Sequence, residues 1–292
     1  MLESGPENTK AFHLAGIIPV AGPKLDFGFP WHDSMQPIAK NYLLVERAVV
    51  ECANAGCETI WIVCNDDMQP LIKHRMGDYI EDPYSLGKSN FVKFPSEHRR
   101  QIPIFYCPIH PKDRDRRDSL GWSALHGALN AFIISNKISK WLVPSRYYVA
   151  FPYGIYPPES VFEHRKKISH KDPFFLSFEG RTVKDGEYLG FTMSGEEYKA
   201  YVRSIKESCT SGDKSLPPAE RWSSRHFGLD KIFECGKIEE SKKHELPWYY
   251  RADTWESLKE FWASPSSGKL KRPSASMFKR SNYNKIGAPV EQ

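Results

Sequence analysis

The first candidate for chemistry is a loop that follows a short apolar run near the amino terminus. Residues 14–20 are almost all apolar and predict a buried strand, after which Ala21 and Gly22 open a loop that carries Lys24. In an open α/β sheet, ligands bind at the carboxyl ends of the strands. Glycine lets backbone N–H groups approach a phosphate, and lysine adds a positive charge. An ordinary buried strand followed by a turn would show the same pattern.

A second candidate lies further along that loop, which is long and rich in glycine, proline and aromatic residues. His32 and Asp33 are adjacent, and such a pair could act as a general base and the group that orients it. A solvated loop would also contain this pair. Trp31, beside them, and Trp122 could stack on a nucleotide base or pack in the core.

The elements that would position these residues alternate between strand and helix. Apolar runs predict strands at 14–20, 59–64, 102–107 and 141–144, and helical periodicity predicts helices at 42–55, 68–79 and 119–134. Strands that alternate with helices indicate βαβ units, hence an α/β fold around a parallel sheet. Asp118 and Ser119 begin the third helix, where they could cap it or touch a base or ribose.

Composition and cysteine spacing argue against a disulfide-stabilised, zinc-binding or membrane-spanning protein. The chain has 292 residues, a net charge of +5 and six cysteines, none of which forms a C-x-x-C pair. We therefore expect reduced core cysteines, with Cys52, Cys57 and Cys64 buried and unpaired. No apolar run is long enough to cross a membrane and no secretory signal is apparent, so we expect a cytoplasmic protein without a membrane partner.

Changes of composition along the chain predict three segments. Residues 1–12 are expected to be a flexible arm, residues 13–263 one domain, and residues 264–292 a basic tail with few large apolar side chains. The tail, from residue 266 onward, is predicted to bind a larger assembly or nucleic acid through its charge, unless it is simply a solvated end.

Several segments, taken in order, resemble one superfamily. They are Ile17–Gly22, Met35–Ile38, Ala55–Val63, Asp118–Leu125, Trp141–Pro144 and Asp253–Leu258. Their order is similar to that of the nucleotide-diphospho-sugar transferases, the superfamily of the sugar-phosphate nucleotidyltransferases. The resemblance spans about residues 15–263. It implies a Rossmann-like, GT-A type, three-layer fold with a mostly parallel central sheet, and a nucleoside triphosphate or nucleotide sugar as ligand.

The resemblance also implies site residues. The nucleotide-binding positions fall at two places, the first loop and the start of the third helix: Ala21, Gly22, Lys24, Asp118, Ser119, Gly121 and Trp122. The two carboxylates that hold magnesium in the family fall at Arg146 and Arg251, with Asp253 two residues further on. Guanidinium groups cannot coordinate Mg²⁺, so magnesium is expected only if Asp253 is the retained carboxylate.

Three hypotheses about function follow. The first is a nucleotidyltransferase-like or glycosyltransferase-like enzyme in which Arg146 and Arg251 replace the metal as countercharge for a diphosphate, with His32, Asp33 and Asp253 as further catalytic candidates. The second is a catalytically degenerate member that keeps the fold as a structural or interaction module. The third is association with nucleic acid through the basic tail. The sequence does not identify the base, the sugar or the acceptor.

Overall fold

The computed structural model describes residues 12–22, 27–29, 31–84, 100–111, 119–210, 215, 227–236, 238–273 and 278–279. Within them the strands are β1 Leu14–Pro19, β2 Pro37–Ala39, β3 Tyr42–Leu43, β4 Thr59–Asn65, β5 Tyr79–Glu81, β6 Gln101–Ile109, β7 Arg146–Val149, β8 Gly154–Ile155, β9 Phe175–Ser177, β10 Phe191–Met193, β11 Lys243–Glu245, β12 Tyr250–Arg251 and β13 Phe278–Lys279. The helices are α1 Leu44–Ala55, α2 Gln69–Met76, α3 Leu120–Ile138, α4 Pro158–Glu163, α5 Arg165–Ile168, α6 Gly195–Thr210, α7 Leu229–Phe233 and α8 Trp255–Ala263.

Nine of these strands form one sheet in the order β11-β9-β10-β7-β1-β4-β6-β5-β13. The four central strands, β7, β1, β4 and β6, are parallel, and β10 and β5 flank them in antiparallel orientation. Every residue of β1 and β7 is buried, as expected for parallel strands with both faces covered. The predicted α/β, Rossmann-like fold with a parallel sheet at its centre is confirmed.

Helices cover both faces of the sheet. On each face a glycine allows one helix to pack closely against β1. A Cβ atom on Gly16 would lie 2.8 Å from the Sγ atom of Cys52, in α1. A Cβ atom on Gly127, in α3, would lie 2.7 Å from the Cγ2 atom of Ile17. Because adjacent strand residues point to opposite faces, α1 and α3 pack on opposite sides of β1.

The strand predicted at 141–144 is wrong. Residues Lys140–Leu142 form a 3-10 turn after α3, and β7 begins only at Arg146. The side chain of Trp141 is 67% exposed, so this apolar run does not belong to the core. A run of four apolar residues is too short to show a periodic pattern. The sequence therefore does not distinguish a buried strand from an exposed turn at this place.

The segment predicted as a tail from residue 264 is packed where the structure describes it. Leu270 is buried, and Arg272 donates hydrogen bonds of 2.8 and 3.1 Å to the Oε1 atom of Glu46, a fully buried carboxylate in α1. Phe278 and Lys279 add an edge strand to β5. These contacts involve only a few side chains of the segment, so its composition does not reveal them.

The predicted state of the cysteines is confirmed. Cys52, Cys57, Cys64 and Cys107 are buried and free, whereas Cys235 is exposed and free. Burial raises the pKa of the Cys64 thiol to about 12, with smaller contributions from Cys107 and Asp67, and burial alone does the same at Cys107. In the described part of the chain, no helix combines the length and apolarity that a membrane span requires.

Candidate functional site

The carboxyl edge of the parallel strands brings together the first loop and the start of α3. The hydroxyl group of Ser123, in the first turn of α3, donates a hydrogen bond to the carbonyl oxygen of Ala21. Gly22 and Gly121 therefore lie on the same side of the molecule, as the fold predicts. Lys24 and Asp118 fall outside the described residues.

The helix-start residues at this edge have structural partners. The hydroxyl group of Ser119 accepts a hydrogen bond of 3.2 Å from the backbone N–H of Trp122 and so caps α3. A Cβ atom on Gly121 would lie 2.6 Å from Ile232 in α7, so the space beside this glycine is occupied by a core side chain. Ala21 and Ser119 are buried, and Trp122 is half-buried.

Arg146 lies at the opposite edge, which corrects its predicted position beside Arg251. It is the first residue of β7 and pairs with Leu14 at the start of β1. Its guanidinium group donates to the carbonyl oxygen of Lys171 and forms a 3.2 Å ion pair with Glu197. The error follows from the misplaced strand, because a residue expected just after a strand in fact begins one.

Arg251 does lie at the carboxyl edge. It pairs with Gly154, in the short strand that follows the end of β7. Its guanidinium group forms an ion pair with Asp253, lies 3.7 Å from the carboxylate of Glu187 and stacks 4.9 Å from the ring centre of Tyr188. Desolvation lowers the pKa of Arg251, but the hydrogen bond and charge of Asp253 outweigh it and raise the pKa above its ordinary value.

Asp33 reaches the same edge from the first loop. It is buried near Tyr153, whose pKa is raised by desolvation and then by the charge of Asp33. The ring of Tyr153 lies 5.8 Å from that of Tyr188, which in turn lies under Arg251. Asp33, Tyr153, Tyr188 and Arg251 thus form a continuous path from the loop to the surface, here called the rim path.

His32 is held within the loop. Its Nδ1 atom lies 2.9 Å from the hydroxyl oxygen of Ser34 and accepts a 3.2 Å hydrogen bond from the backbone N–H of that residue. The ring is buried and caps the 3-10 turn Asp33–Met35. His32 and Asp33 are therefore well placed to hold the loop against the rim path, and the imidazole does not face open solvent.

Aromatic side chains border the rim path. Trp31 is 43% exposed and stacks on Phe29 with ring centres 4.9 Å apart. Phe29 contacts the edge of Trp255, which begins α8 just after Asp253. A pocket of about 280 Å³ opens beside Arg251 and is lined by Phe178, Arg181, Glu187, Tyr249 and Glu260 among others.

Sequence reasoning did not find Tyr153, Glu187 or Tyr188. Glu187 is buried, accepts a 3.1 Å hydrogen bond from the hydroxyl group of Tyr249 and forms a 2.7 Å ion pair with Arg181. For Tyr153, the sequence offered one signal: residues 147–156, directly after the misplaced strand, are dense in aromatic side chains.

The described donors at this edge do not fit Mg²⁺. The residues that follow β7 are Ala150, Phe151, Pro152 and Tyr153, none of which carries a carboxylate. Asp253 is already paired with Arg251, and Glu187 lies beside both Arg181 and Arg251. Throughout the described ranges, no three His, Cys, Asp or Glu side chains are grouped closely enough to hold a metal ion. Octahedral Mg²⁺ prefers carboxylate oxygens without a competing cation.

Among the comparisons with known proteins, the one with solved structures finds proteins of similar fold. No family model matches the chain, and no curated protein matches it. A putative glucose-1-phosphate thymidylyltransferase from Bacillus anthracis, in complex with a sucrose, aligns over 89% of this chain and 98% of its own, with a TM-score of 0.54 and 12% identity. A UDP-glucose pyrophosphorylase complexed with UDP-glucose aligns over 86% and 97%, with a TM-score of 0.50 and 13% identity.

An apo form of UDP-glucose pyrophosphorylase aligns over 89% of this chain and 100% of its own, again with a TM-score of 0.50 and 13% identity. The chain therefore has the fold of sugar-phosphate nucleotidyltransferases along almost their whole length. At these identities the likeness establishes architecture, and the chemistry has to be argued from the residues at the carboxyl edge.

Proposed function

We propose that the chain binds a nucleoside triphosphate or nucleotide sugar at the carboxyl edge of its central sheet, as a nucleotidyltransferase-like or glycosyltransferase-like protein. The most direct support is that one edge of the sheet carries the Ala21–Gly22 loop, the start of α3 and Arg251. Ligands of open α/β sheets bind at such an edge.

In this proposal Arg251 supplies the positive charge for a diphosphate. A guanidinium group pairs with phosphate oxygens through two parallel hydrogen bonds and stays protonated at all relevant pH values. Asp253 and Glu187 hold it in place, and the Tyr188 ring supports it from below. Lys24 remains a second candidate contact. The exposed ring of Trp31 is the proposed surface for the base.

Binding without a resident metal is part of the same proposal. Arg251 takes over the electrostatic role that Mg²⁺ would otherwise play beside the phosphates, and Asp253 orients the arginine. Asp33 and His32 act as positioning residues, because both are buried and, beyond desolvation, the charge of Asp33 acts on Tyr153 by raising its pKa.

The alternative is a structural or interaction module that keeps the fold without turnover. Three observations favour it: Ile232 fills the space beside Gly121, Arg251 already has two carboxylate neighbours, and His32 is buried. A cytoplasmic location, and a larger assembly or nucleic acid bound through residues 266–292, also stay predictions.

A thermal-shift screen separates the two functions. Nucleoside triphosphates and nucleotide sugars are each added with magnesium and with EDTA, at about a hundredfold excess over Kd. A ligand that binds the native state alone then adds about 2.7 kcal/mol of stability. We expect stabilisation by at least one ligand in EDTA and its loss in Arg251→Gln. The control Lys199→Gln, which changes an exposed side chain of α6, should show no change.

Each other outcome has a definite meaning. No stabilisation by any nucleotide would favour the structural module. Stabilisation that requires magnesium and disappears in Asp253→Asn would show that Asp253 is a metal ligand and that the metal-free proposal is wrong.

A further inference from the structure

A second pocket lies at the edge of the sheet opposite to the rim path. It has a volume of about 350 Å³ and forms where α5, the loop before β9 and the start of β11 meet. Phe175 and Lys243, the first residues of β9 and β11, are paired in parallel. Arg146, the first residue of β7, reaches the same loop through its hydrogen bond to the carbonyl oxygen of Lys171. The pocket is therefore at the amino edge.

The lining of this amino-edge pocket is strongly cationic. Lys166, Lys167 and Lys242 contribute to it together with two histidines, His170 and His244. Among the described lining residues, Asp172 supplies the one carboxylate. Asp172 lies 3.2 Å from the ammonium group of Lys242 and 3.5 Å from the ring of His170. Even with both histidines neutral, three positive charges face one negative charge.

The wall of the pocket is a stack of rings. The ring of His244 lies parallel to that of Phe174, with centres 4.6 Å apart, and 4.6 Å from the ring of His164. Such a stack fixes the His244 ring without using its nitrogens. Desolvation, followed by the charges of His164, Lys167 and Lys242, lowers the pKa of His244 to about 4. The neutral imidazole of His244 therefore lies among lysines that outnumber the carboxylates of the described lining.

We propose that the amino-edge pocket binds a small phosphate-bearing anion, with Lys166, Lys167 and Lys242 as donors to its oxygens and His244 as a further contact. A compact anion of two charges would balance the excess of lysines over Asp172. The pocket volume lies at the lower end of the range for small-molecule sites. Nucleic acid needs an extended basic stripe instead, and Asp172 interrupts one here. This site is independent of the function proposed for the carboxyl edge.

Calorimetry with inorganic phosphate at pH 7.5 tests the assignment, with the ring proton signals of His244 as a local readout by NMR. The His244 signal is identified from its absence in His244→Gln. We expect phosphate to shift it, and Lys242→Gln and the more exposed Lys167→Gln each to weaken binding about tenfold, the scale of a charge-assisted hydrogen bond. Asp172→Asn removes the competing carboxylate and should tighten binding about threefold.

The matched control is Lys199→Gln, which removes an exposed lysine of α6 that does not line the pocket. Equal phosphate affinity in Lys242→Gln, Lys167→Gln and Lys199→Gln would overturn the proposal. So would an unmoved His244 signal at saturating phosphate. If a single-stranded 12-mer bound this pocket and free phosphate did not, the pocket would belong to a nucleic-acid surface and the small-anion assignment would be wrong.

Sulfate provides the pH test, because its charge is constant between pH 4 and 8. The groups that face His244 are His164 and Lys167 from the α4–α5 segment, Lys242 two residues earlier in the chain, and Asp172 and His170 from the loop. A bound dianion favours the protonated imidazole, so affinity should rise as pH falls. We expect binding about tenfold tighter at pH 5 than at pH 7.5. A flat profile for the native chain, or the same slope in His244→Gln, would contradict the role of His244.

Discussion

Two arginines show the same local chemistry in opposite surroundings. Arg47 pairs with Glu51 at 2.8 Å and lies 4.4 Å from the ring centre of Tyr156, and Arg251 pairs with Asp253 and lies 4.9 Å from that of Tyr188. The side chain of Arg47 is 0% exposed, whereas that of Arg251 is 42% exposed. Because of this difference in exposure, we interpret Arg47 as a structural residue and Arg251 as a residue that can exchange its carboxylate partners for a ligand.

The buried pair is embedded in further hydrogen bonds. Arg47 donates to the carbonyl oxygen of Phe151 at 2.7 Å, and the hydroxyl groups of Tyr148 and Tyr156 both donate to Glu51, at 2.7 and 2.6 Å. Arg47 therefore fixes the chain just past the end of β7, and this chain continues into Tyr153 of the rim path. A buried ion pair is costly to break when one partner is removed, because the charge that remains has no water to solvate it.

The largest effect is expected at the buried pair. Arg47→Met leaves Glu51 as an uncompensated buried charge and should lower the free energy of unfolding by about 3–5 kcal/mol. Urea denaturation followed by circular dichroism measures this loss. The double variant Arg47→Met/Glu51→Gln should lose less than the two single variants together. A loss below about 1 kcal/mol in Arg47→Met would mean that burial does not distinguish the two arginines.

An intermediate effect is expected at Arg272, whose side chain is 16% exposed and pairs with the fully buried Glu46 at 2.8 Å. Glu46 keeps a second partner, Arg75, at 3.0 Å. Arg272→Ala should therefore cost about 1–3 kcal/mol, measured in the same urea titration. Lys269→Ala, three residues earlier in the same segment, is the control and should be neutral. Equal stability of the two variants would show that the contact between Arg272 and Glu46 does not stabilise the fold.

The smallest effect on stability is expected at the rim path. Arg251→Gln should change the free energy of unfolding by less than about 1 kcal/mol, because a half-exposed ion pair is screened by water. Nucleotide binding, if the proposed function holds, should weaken about tenfold or more in the same variant. Urea titration measures the free energy of unfolding, and the thermal-shift assay measures nucleotide binding. A loss of stability as large as that of Arg47→Met would show that Arg251 is part of the scaffold.

Thiol labelling compares the two arginines through the accessibility of a buried cysteine. Cys52 follows Glu51 in α1 and is buried, and desolvation raises the pKa of its thiol. In a Cys209→Ser/Cys235→Ser background, labelling at pH 8 should be slow in the native chain and in Arg251→Gln, and faster in Arg47→Met. Equal rates in all three would indicate that the Arg47 network does not hold α1 against the sheet.

The sequence by itself determined the elements whose burial pattern is local. The strands β1, β4 and β6, the helices α1 and α3, and the buried cysteines follow from apolar runs, helical periodicity and cap residues such as Gly56 and Ser119. The alternation of these elements was enough to predict an α/β sheet and the edge at which ligands bind.

Only the tertiary structure decided which residues stand at that edge. The apolar run at 141–144 is exposed, so β7 starts later and Arg146 moves to the opposite edge, beside Glu197. The rim path joins Asp33, Tyr153, Tyr188 and Arg251, which are far apart in the chain and share no motif. Arg272 reaches Glu46 across 226 residues. Contacts of this kind arise from packing between elements, and no local pattern of residue types encodes them.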